Sequence, residues 1–253
     1  MISLPDATSE VPLESGSPAM RPVVEMLAAV AAHDVPVLLR GESGVGKSVL
    51  ARALHTASPR RAFPLVTIDC RGLEGDEATA AKVLGPMLRG SSPGNALLEE
   101  IGALPERAQA ILAMLLEGNR GAGGLGPRII GTSARDLEAA VRAGRFRRDL
   151  LARLSVVEIR VPSLRERRED ILPLASRFLS AFSPSPRDLS PRAREALLLY
   201  DWPGNVRELR NAIQHAVVLC DGPSLDLPSL PERVTGLKKA LSAFEEFPRG
   251  PKQ

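Results

Sequence analysis

The octapeptide Gly41-Glu42-Ser43-Gly44-Val45-Gly46-Lys47-Ser48 constrains this chain more than any other stretch. It has the spacing Gly-x-x-x-x-Gly-Lys-Ser, follows the apolar β-favouring run Val35 to Leu39, and precedes a helical pattern from Val49 to His55. A turn of that kind between a strand and a helix is built for phosphate. Its glycines let backbone N–H groups converge on phosphate oxygens, and the helix that follows adds its positive N-terminus. Lys47 is placed to neutralise the β- and γ-phosphates and Ser48 to ligate magnesium. Gly41, Glu42, Ser43, Gly44, Val45, Gly46, Lys47 and Ser48 are therefore the expected contacts of a nucleoside triphosphate, ATP with Mg2+.

The surrounding pattern supplies the fold. Five short β-favouring runs, Val35 to Leu39, Leu65 to Ile68, Ala96 to Leu98, Arg128 to Thr132 and Val156 to Val161, are separated by helical stretches. In Glu106 to Glu117 the residues Ala108, Ile111, Leu112 and Leu115 make one apolar face. Ser17 and Pro18 read as the cap and first position of an opening helix on which Met20, Val24, Leu27 and Ala31 recur. Strands alternating with helices predict an α/β domain: a parallel sheet with helices on both faces, the three-layer α/β/α arrangement.

After Val161 the pattern becomes helical. Ile171, Leu174, Ala175, Phe178 and Phe182 form a stripe, Ser183 to Pro186 reads as a linker, and Ser190-Pro191 starts a second helix. A third is expected from Asn205, with Asn205 as its cap and Glu208 as its capping-box acid. The expected organisation is a tail over 1–15, an α/β nucleotide-binding subdomain over 16–162, a small all-helical subdomain over 163–235 and a second tail over 236–253.

With 253 residues and 44% hydrophobic content the chain can bury a sizeable core. It has no apolar run of membrane-spanning length, and Met1 to Pro18 lacks the basic start and apolar stretch of a secretion signal, so a cytoplasmic location is expected. Cys70 and Cys220 are the only cysteines, without metal-ligand spacing, and read as ordinary buried residues. His33, His55 and His215 lack a paired nucleophile. The net charge of +3 is a weak attraction for nucleic acid. The arginines between Arg145 and Arg168 alternate with Asp149, Glu158 and Glu166, which favours a solvated or subunit-facing surface over a DNA groove.

Ala96-Leu97-Leu98-Glu99-Glu100 is an apolar strand ending in two carboxylates. In a chain that already carries a phosphate loop, Glu99 is the candidate magnesium ligand beside Ser48, and Glu100 the residue that orients or deprotonates the attacking water.

These residues together resemble the AAA+ ATPase domain of bacterial enhancer-binding proteins, the activators of sigma-54 RNA polymerase. The matching segments, in family order, are Gly16 to Met20, Gly41 to Lys47, Glu100-Ile101-Gly102, Gly144 to Arg147 with Asp149-Leu150 and Arg153-Leu154, Pro162 to Arg167, and Trp202 to Leu209. The resemblance spans about residues 12 to 235 and implies an AAA+ nucleotide domain with a helical lid, assembled as a homo-oligomeric ring with ATP sites between subunits. It places Arg147 and Arg153 on the two arginine-finger positions and Arg207 on the lid sensor, where a guanidinium can stabilise charge on the transferring phosphoryl group or report nucleotide state.

The chain also departs from the family pattern. The family's sigma-54 contact, a Gly-Ala-Phe-Thr-Gly-Ala loop, has no counterpart in the sequence, and Val83-Leu84-Gly85 runs on to Arg89-Gly90-Ser91-Ser92-Pro93-Gly94. The stretch Glu117 to Arg128, where the family has a second partner-facing hairpin, is short and glycine-rich. Glu99 stands where the family has aspartate, and Ala134 stands at the first-sensor asparagine, where its side chain cannot hydrogen-bond water or the γ-phosphate and Ser133 beside it is expected to substitute in part. Asp69 stands at the asparagine that restrains the catalytic glutamate, and an ionised Asp69 is expected to repel Glu100. No receiver domain fits before Gly16, and Leu237 to Phe247 resembles only the approach to a helix-turn-helix, so no carrier of sequence-specific DNA binding is visible. The expected function is an ATP-binding regulator that hydrolyses ATP and acts on a protein partner, though not by the usual sigma-54 loop. The alternative is a nucleotide-binding interaction module with little hydrolysis.

Overall fold

The computed structural model describes residues 16–73, 82, 84–86, 88, 93–118, 126–183, 185, 187–220 and 222–236. The tails, the segment around Val83 and Arg89 to Ser92, most of the glycine-rich stretch before Arg128, and Leu237 to Phe247 lie outside the described residues. The chain divides into two compact units, Met1–Pro162 and Ser163–Gln253.

In the first unit the elements run α1 (Arg21–Ala31), β1 (Val37–Arg40), α2 (Lys47–Ala57), β2 (Leu65–Asp69), β3 (Asn95–Glu99), α3 (Glu106–Gly118), β4 (Arg128–Ser133), α4 (Leu137–Arg142), α5 (Arg148–Leu154) and β5 (Val157–Arg160). The five strands form one sheet in the order β2-β3-β4-β1-β5, every pair parallel. Two apolar clusters cover its two faces. Leu38, Leu98, Ile101, Leu112 and Leu150 belong to one; Leu27, Leu39, Leu50, Leu54 and Ile130 belong to the other. Leu38 and Leu39 fall in opposite clusters because successive strand side chains point to opposite faces. Each run read as a strand falls on one, with Val35 and Pro36 left before β1 and Val156 and Val161 flanking β5, and the apolar continuity of β3 reflects burial on both sides.

The opening helix starts later than Ser17 and Pro18 suggest. Met20 is the residue before its first turn, Pro22 sits in that turn where no N–H is needed, and the Ser17 hydroxyl accepts from the Ala19 N–H at 3.3 Å. Its buried positions are Val23, Leu27, Val30 and Ala31. The C-terminal carbonyls of α1 are met by Arg128, whose guanidinium donates to Val30 O, Ala31 O and Val35 O at 3.0 to 3.3 Å. That cation replaces the missing solvent of a buried helix end.

The second unit holds α6 (Ile171–Phe182), α7 (Pro191–Leu199) and α8 (Asn205–Leu219) around one core. It is not purely helical. Asp188–Leu189 and Ser224–Leu225 pair as a short parallel two-stranded bridge, β6 and β7. The start of α8 also differs from the expected cap. Asn205 has φ 54° and gives its side-chain oxygen to the Leu164 N–H at 2.8 Å, while Glu208 accepts from the Gly204 N–H at 2.8 Å. Glu208 therefore closes the helix start, and Asn205 ties it to the segment entering the unit.

Trp202 is the largest fully buried side chain, with its ring edge-on to Tyr200 at 5.0 Å and its Nε1 donating to Leu197 O at 2.8 Å. Trp202→Ala is expected to destabilise this unit by about 3–5 kcal/mol, measured by denaturant unfolding. A loss below about 1 kcal/mol would contradict the packing described.

Candidate functional site

Parallel strands put all their carboxyl ends on one edge of the sheet, and that edge gathers the polar residues singled out from the sequence. The register aligns Asp69 with Glu99 and Arg40 with Ser133, so the ends of β2, β3, β4 and β1 finish level. The loop Gly41 to Gly46 leaves β1 there. It is anchored by Gly41 N–H to Ser133 O at 3.2 Å, beside the Val161 N–H donating to Arg40 O at 2.7 Å. Two of its glycines are dictated by geometry. A side chain at Gly41 would meet Val161 O at 2.5 Å, and Gly46, at φ 105°, turns the chain into α2 with open space above it.

Lys47 is 6% exposed, and its Nζ lies 2.8 Å from Gly41 O, 3.1 Å from Glu42 O and 3.1 Å from Glu100 Oε1. Ser48 Oγ donates to Glu99 Oε1. Loop and carboxylate strand, about fifty residues apart in sequence, are thus one constellation. Glu100 owes its aim to its backbone, which takes the left-handed conformation (φ 53°, ψ 54°) at a cost of about 1–2 kcal/mol for a side-chain-bearing residue. The Thr132 hydroxyl accepts from the Glu100 N–H at 3.0 Å, and the Ala134 N–H donates to Glu100 Oε2 at 2.8 Å.

These contacts bear on three sequence expectations. Ala134 has no polar side chain, yet its backbone amide grips the carboxylate of Glu100. Ser133 does not stand in for the sensor amide; its hydroxyl donates to Arg135 O and accepts from the Arg135 N–H. Asp69 is not an uncompensated charge facing Glu100. Arg71 holds it with Nε at 2.9 Å, Nη2 at 2.7 Å and its own N–H at 3.0 Å, and this pairing keeps Asp69 below the usual carboxylate range. Cys70, between them, is buried, and burial first, then the charges of Asp69, Glu100 and Glu99, push its thiol up to about 12. Cys220 is free and only part-buried.

Thr132, the Ala134 amide and Arg71 are site components that motif spacing does not reveal. Arg40 is another: its guanidinium binds both carboxylate oxygens of Glu138 at 2.6 Å and Glu158 at 3.0 Å. The end of β1 is thereby fixed to α4 and β5, and the Glu138 carboxyl is held down to about 2.

Ser48 and Glu99 fit a hard divalent cation as one hydroxyl and one carboxylate. Among the described residues no three His, Cys, Asp or Glu side chains converge into a metal cage. Magnesium does not require one, because it is commonly held by one or two protein oxygens with water and phosphate oxygens completing the octahedron.

The three arginines have partners of their own or lie exposed. Arg147 precedes α5 and forks onto Asp149 at 2.8 and 3.0 Å, while Arg153 on α5 donates to Ala113 O at 3.0 Å and Glu117 Oε1 at 3.1 Å. Arg207 is exposed on the first turn of α8 in the second unit. In the arginine-rich segment Arg167 lies 3.9 Å from Asp170 and Arg168 pairs with Asp201, so it is laced with carboxylates as the sequence suggests. Among the described residues no helix is long and apolar enough to cross a membrane.

Comparison with known proteins agrees with this geometry. The sigma-54 interaction domain model matches residues 13–160, and the AAA+ ATPase lid domain model matches 165–245. The transcriptional regulatory protein ZraR of Escherichia coli K12 is 38% identical, over 91% of this chain and 58% of that protein. The alginate biosynthesis transcriptional regulatory protein AlgB of Pseudomonas aeruginosa is 40% identical, over 86% of this chain and 54% of that protein. The chain thus spans a little over half the length of these relatives. The structure of NtrX from Brucella abortus in complex with ATP superposes with a TM-score of 0.81 at 30% identity, covering 95% of this chain and 57% of that one. With its α/β unit matched by the one model and its helical unit by the other, the chain belongs to the sigma-54 interaction domain family of AAA+ ATPases.

Proposed function

We propose that this chain binds ATP with magnesium on Gly41 to Ser48 and hydrolyses it in a homo-oligomeric ring, as the motor portion of a transcription-type regulator. The observation that carries the reading is the convergence of Lys47 Nζ on the Glu100 carboxylate and two loop carbonyls. A buried ammonium surrounded by oxygens, under a loop of backbone amides, is ready to exchange those oxygens for phosphate oxygens. The relative solved with ATP supports the same ligand.

When bound, magnesium would neutralise phosphate charge, with Ser48 and Glu99 as its protein ligands. As Lys47 turns to the phosphates, Glu100 is released from its ion pair while the Ala134 amide keeps it in place. Its freed oxygen then accepts a proton from the attacking water. Arg147 and Arg153 are assigned to the neighbouring subunit's site, each exchanging its present carboxylate partner for phosphoryl oxygens, and Arg207 to sensing nucleotide from the lid.

The regulated partner is assigned to a protein engaged by a route other than the usual sigma-54 loop, because the Gly-Ala-Phe-Thr-Gly-Ala sequence is absent from the chain. A second reading, nucleotide binding with slow hydrolysis, is favoured by the hydroxyl of Ser133 being turned away and Ala134 offering only its amide. The two readings separate on magnesium-dependent ATP turnover measured against protein concentration. Specific activity that climbs with concentration supports hydrolysis between subunits; turnover no greater than that of the Lys47→Ala variant at every concentration leaves only binding.

A further inference from the structure

Gln109 is 1% exposed on α3, in a stretch read from the sequence as an apolar face. A buried primary amide brings two donors and an acceptor that must be satisfied, because an unmade bond leaves a desolvated polar group without a partner. Gln109 satisfies all three on backbone. Its Nε2 donates to Leu104 O at 2.8 Å and to Arg145 O at 3.0 Å, and its Oε1 accepts from the Arg147 N–H at 2.8 Å. Two of these bonds bracket the Arg145-Phe146-Arg147 segment.

The rest of that segment is fixed around the same point. Gly144 turns at φ 69°, the Arg145 N–H bonds to Ala140 O at 2.9 Å, and Phe146 is buried in the core. One and two helical turns beyond Gln109 on the same stripe of α3, Ala113 O and Glu117 hold the guanidinium of Arg153. A single stripe, Gln109, Ala113 and Glu117, therefore contacts the backbone of one arginine segment and the side chain of the other.

We propose that Gln109 is a positioning residue for the arginines this subunit presents to its neighbour, fixing where the Arg147 side chain leaves the surface. The proposal rests on the reading that Arg147 and Arg153 act on an adjoining subunit's ATP. Gln109 touches neither nucleotide nor reacting atoms in that scheme; it acts through the Arg147 backbone. A fully satisfied buried amide suits this task, because its bonds are directional where an apolar side chain would permit sliding. A displacement of about 1 Å in such a group costs of order a hundredfold in rate.

The test uses full-length Gln109→Leu, which removes all three bonds at similar volume, and Gln109→Asn, which keeps the amide but shortens its reach. Each is assayed alone and in mixtures with Lys47→Ala subunits, which lack a working loop but carry normal arginines. Alone, Gln109→Leu is expected to lose about ten- to a hundredfold of turnover at unchanged ATP affinity, and Gln109→Asn less. Excess Lys47→Ala subunits are expected to restore turnover, because the variant's own loop then faces a normal neighbour. Loss that the mixture does not restore, or no loss in either variant, overturns the positioning role. Arg153→Ala mixed with Lys47→Ala is the control: failure there removes the shared-site reading itself, whereas success there with failure for Gln109 removes only this inference.

Discussion

Lys47→Ala is expected to lower magnesium-dependent ATP turnover by about 10²- to 10³-fold and to weaken nucleotide binding, measured by turnover and by titration with a fluorescent ATP analogue. Lys47 is nearly fully buried and directs its ammonium at two loop carbonyls and Glu100. Truncation removes the cation that faces the phosphates and leaves the Glu100 carboxylate without its ion-pair partner. Both changes oppose an anionic ligand. Unaltered binding by Lys47→Ala would remove the loop from its assigned role.

The second large effect separates chemistry from binding. Glu100→Gln is expected to lower turnover by about 10²- to 10⁴-fold while ATP affinity is equal or higher. The glutamine oxygen can still accept from the Ala134 N–H, so the side chain keeps its aim while losing its basicity. Affinity is expected to hold because the substitution also removes the Lys47–Glu100 ion pair, which otherwise competes with phosphate for the lysine. A Glu100→Gln protein with wild-type turnover would dismiss Glu100 as the base.

Much of this was legible in the sequence because its signals are local and periodic. The five strands, the loop, the position of Lys47 and the paired carboxylates at a strand end follow from spacing, and the sheet then brings them together. What escaped are contacts made by backbone or by residues of unremarkable type. The role of Ala134 lies in its amide, which a side-chain reading discards. The charge of Asp69 is paired with Arg71, two residues on, because a turn after β2 folds the guanidinium back onto the carboxylate. The α8 cap moved because Asn205 adopts a left-handed backbone that sends its side chain to Leu164. Gln109 was hidden in an apolar stripe whose spacing does not distinguish a buried amide from a solvated one.

The most direct test of ATP hydrolysis between subunits is turnover in mixtures of Lys47→Ala with Arg153→Ala. Each variant alone should be nearly inactive, one lacking its loop lysine and the other its donated arginine. Together they should recover turnover in proportion to interfaces that pair an intact loop with an intact arginine, rising with protein concentration. A mixture no more active than its separate components, or an Arg153→Ala protein as active as the unaltered chain, would contradict a shared site.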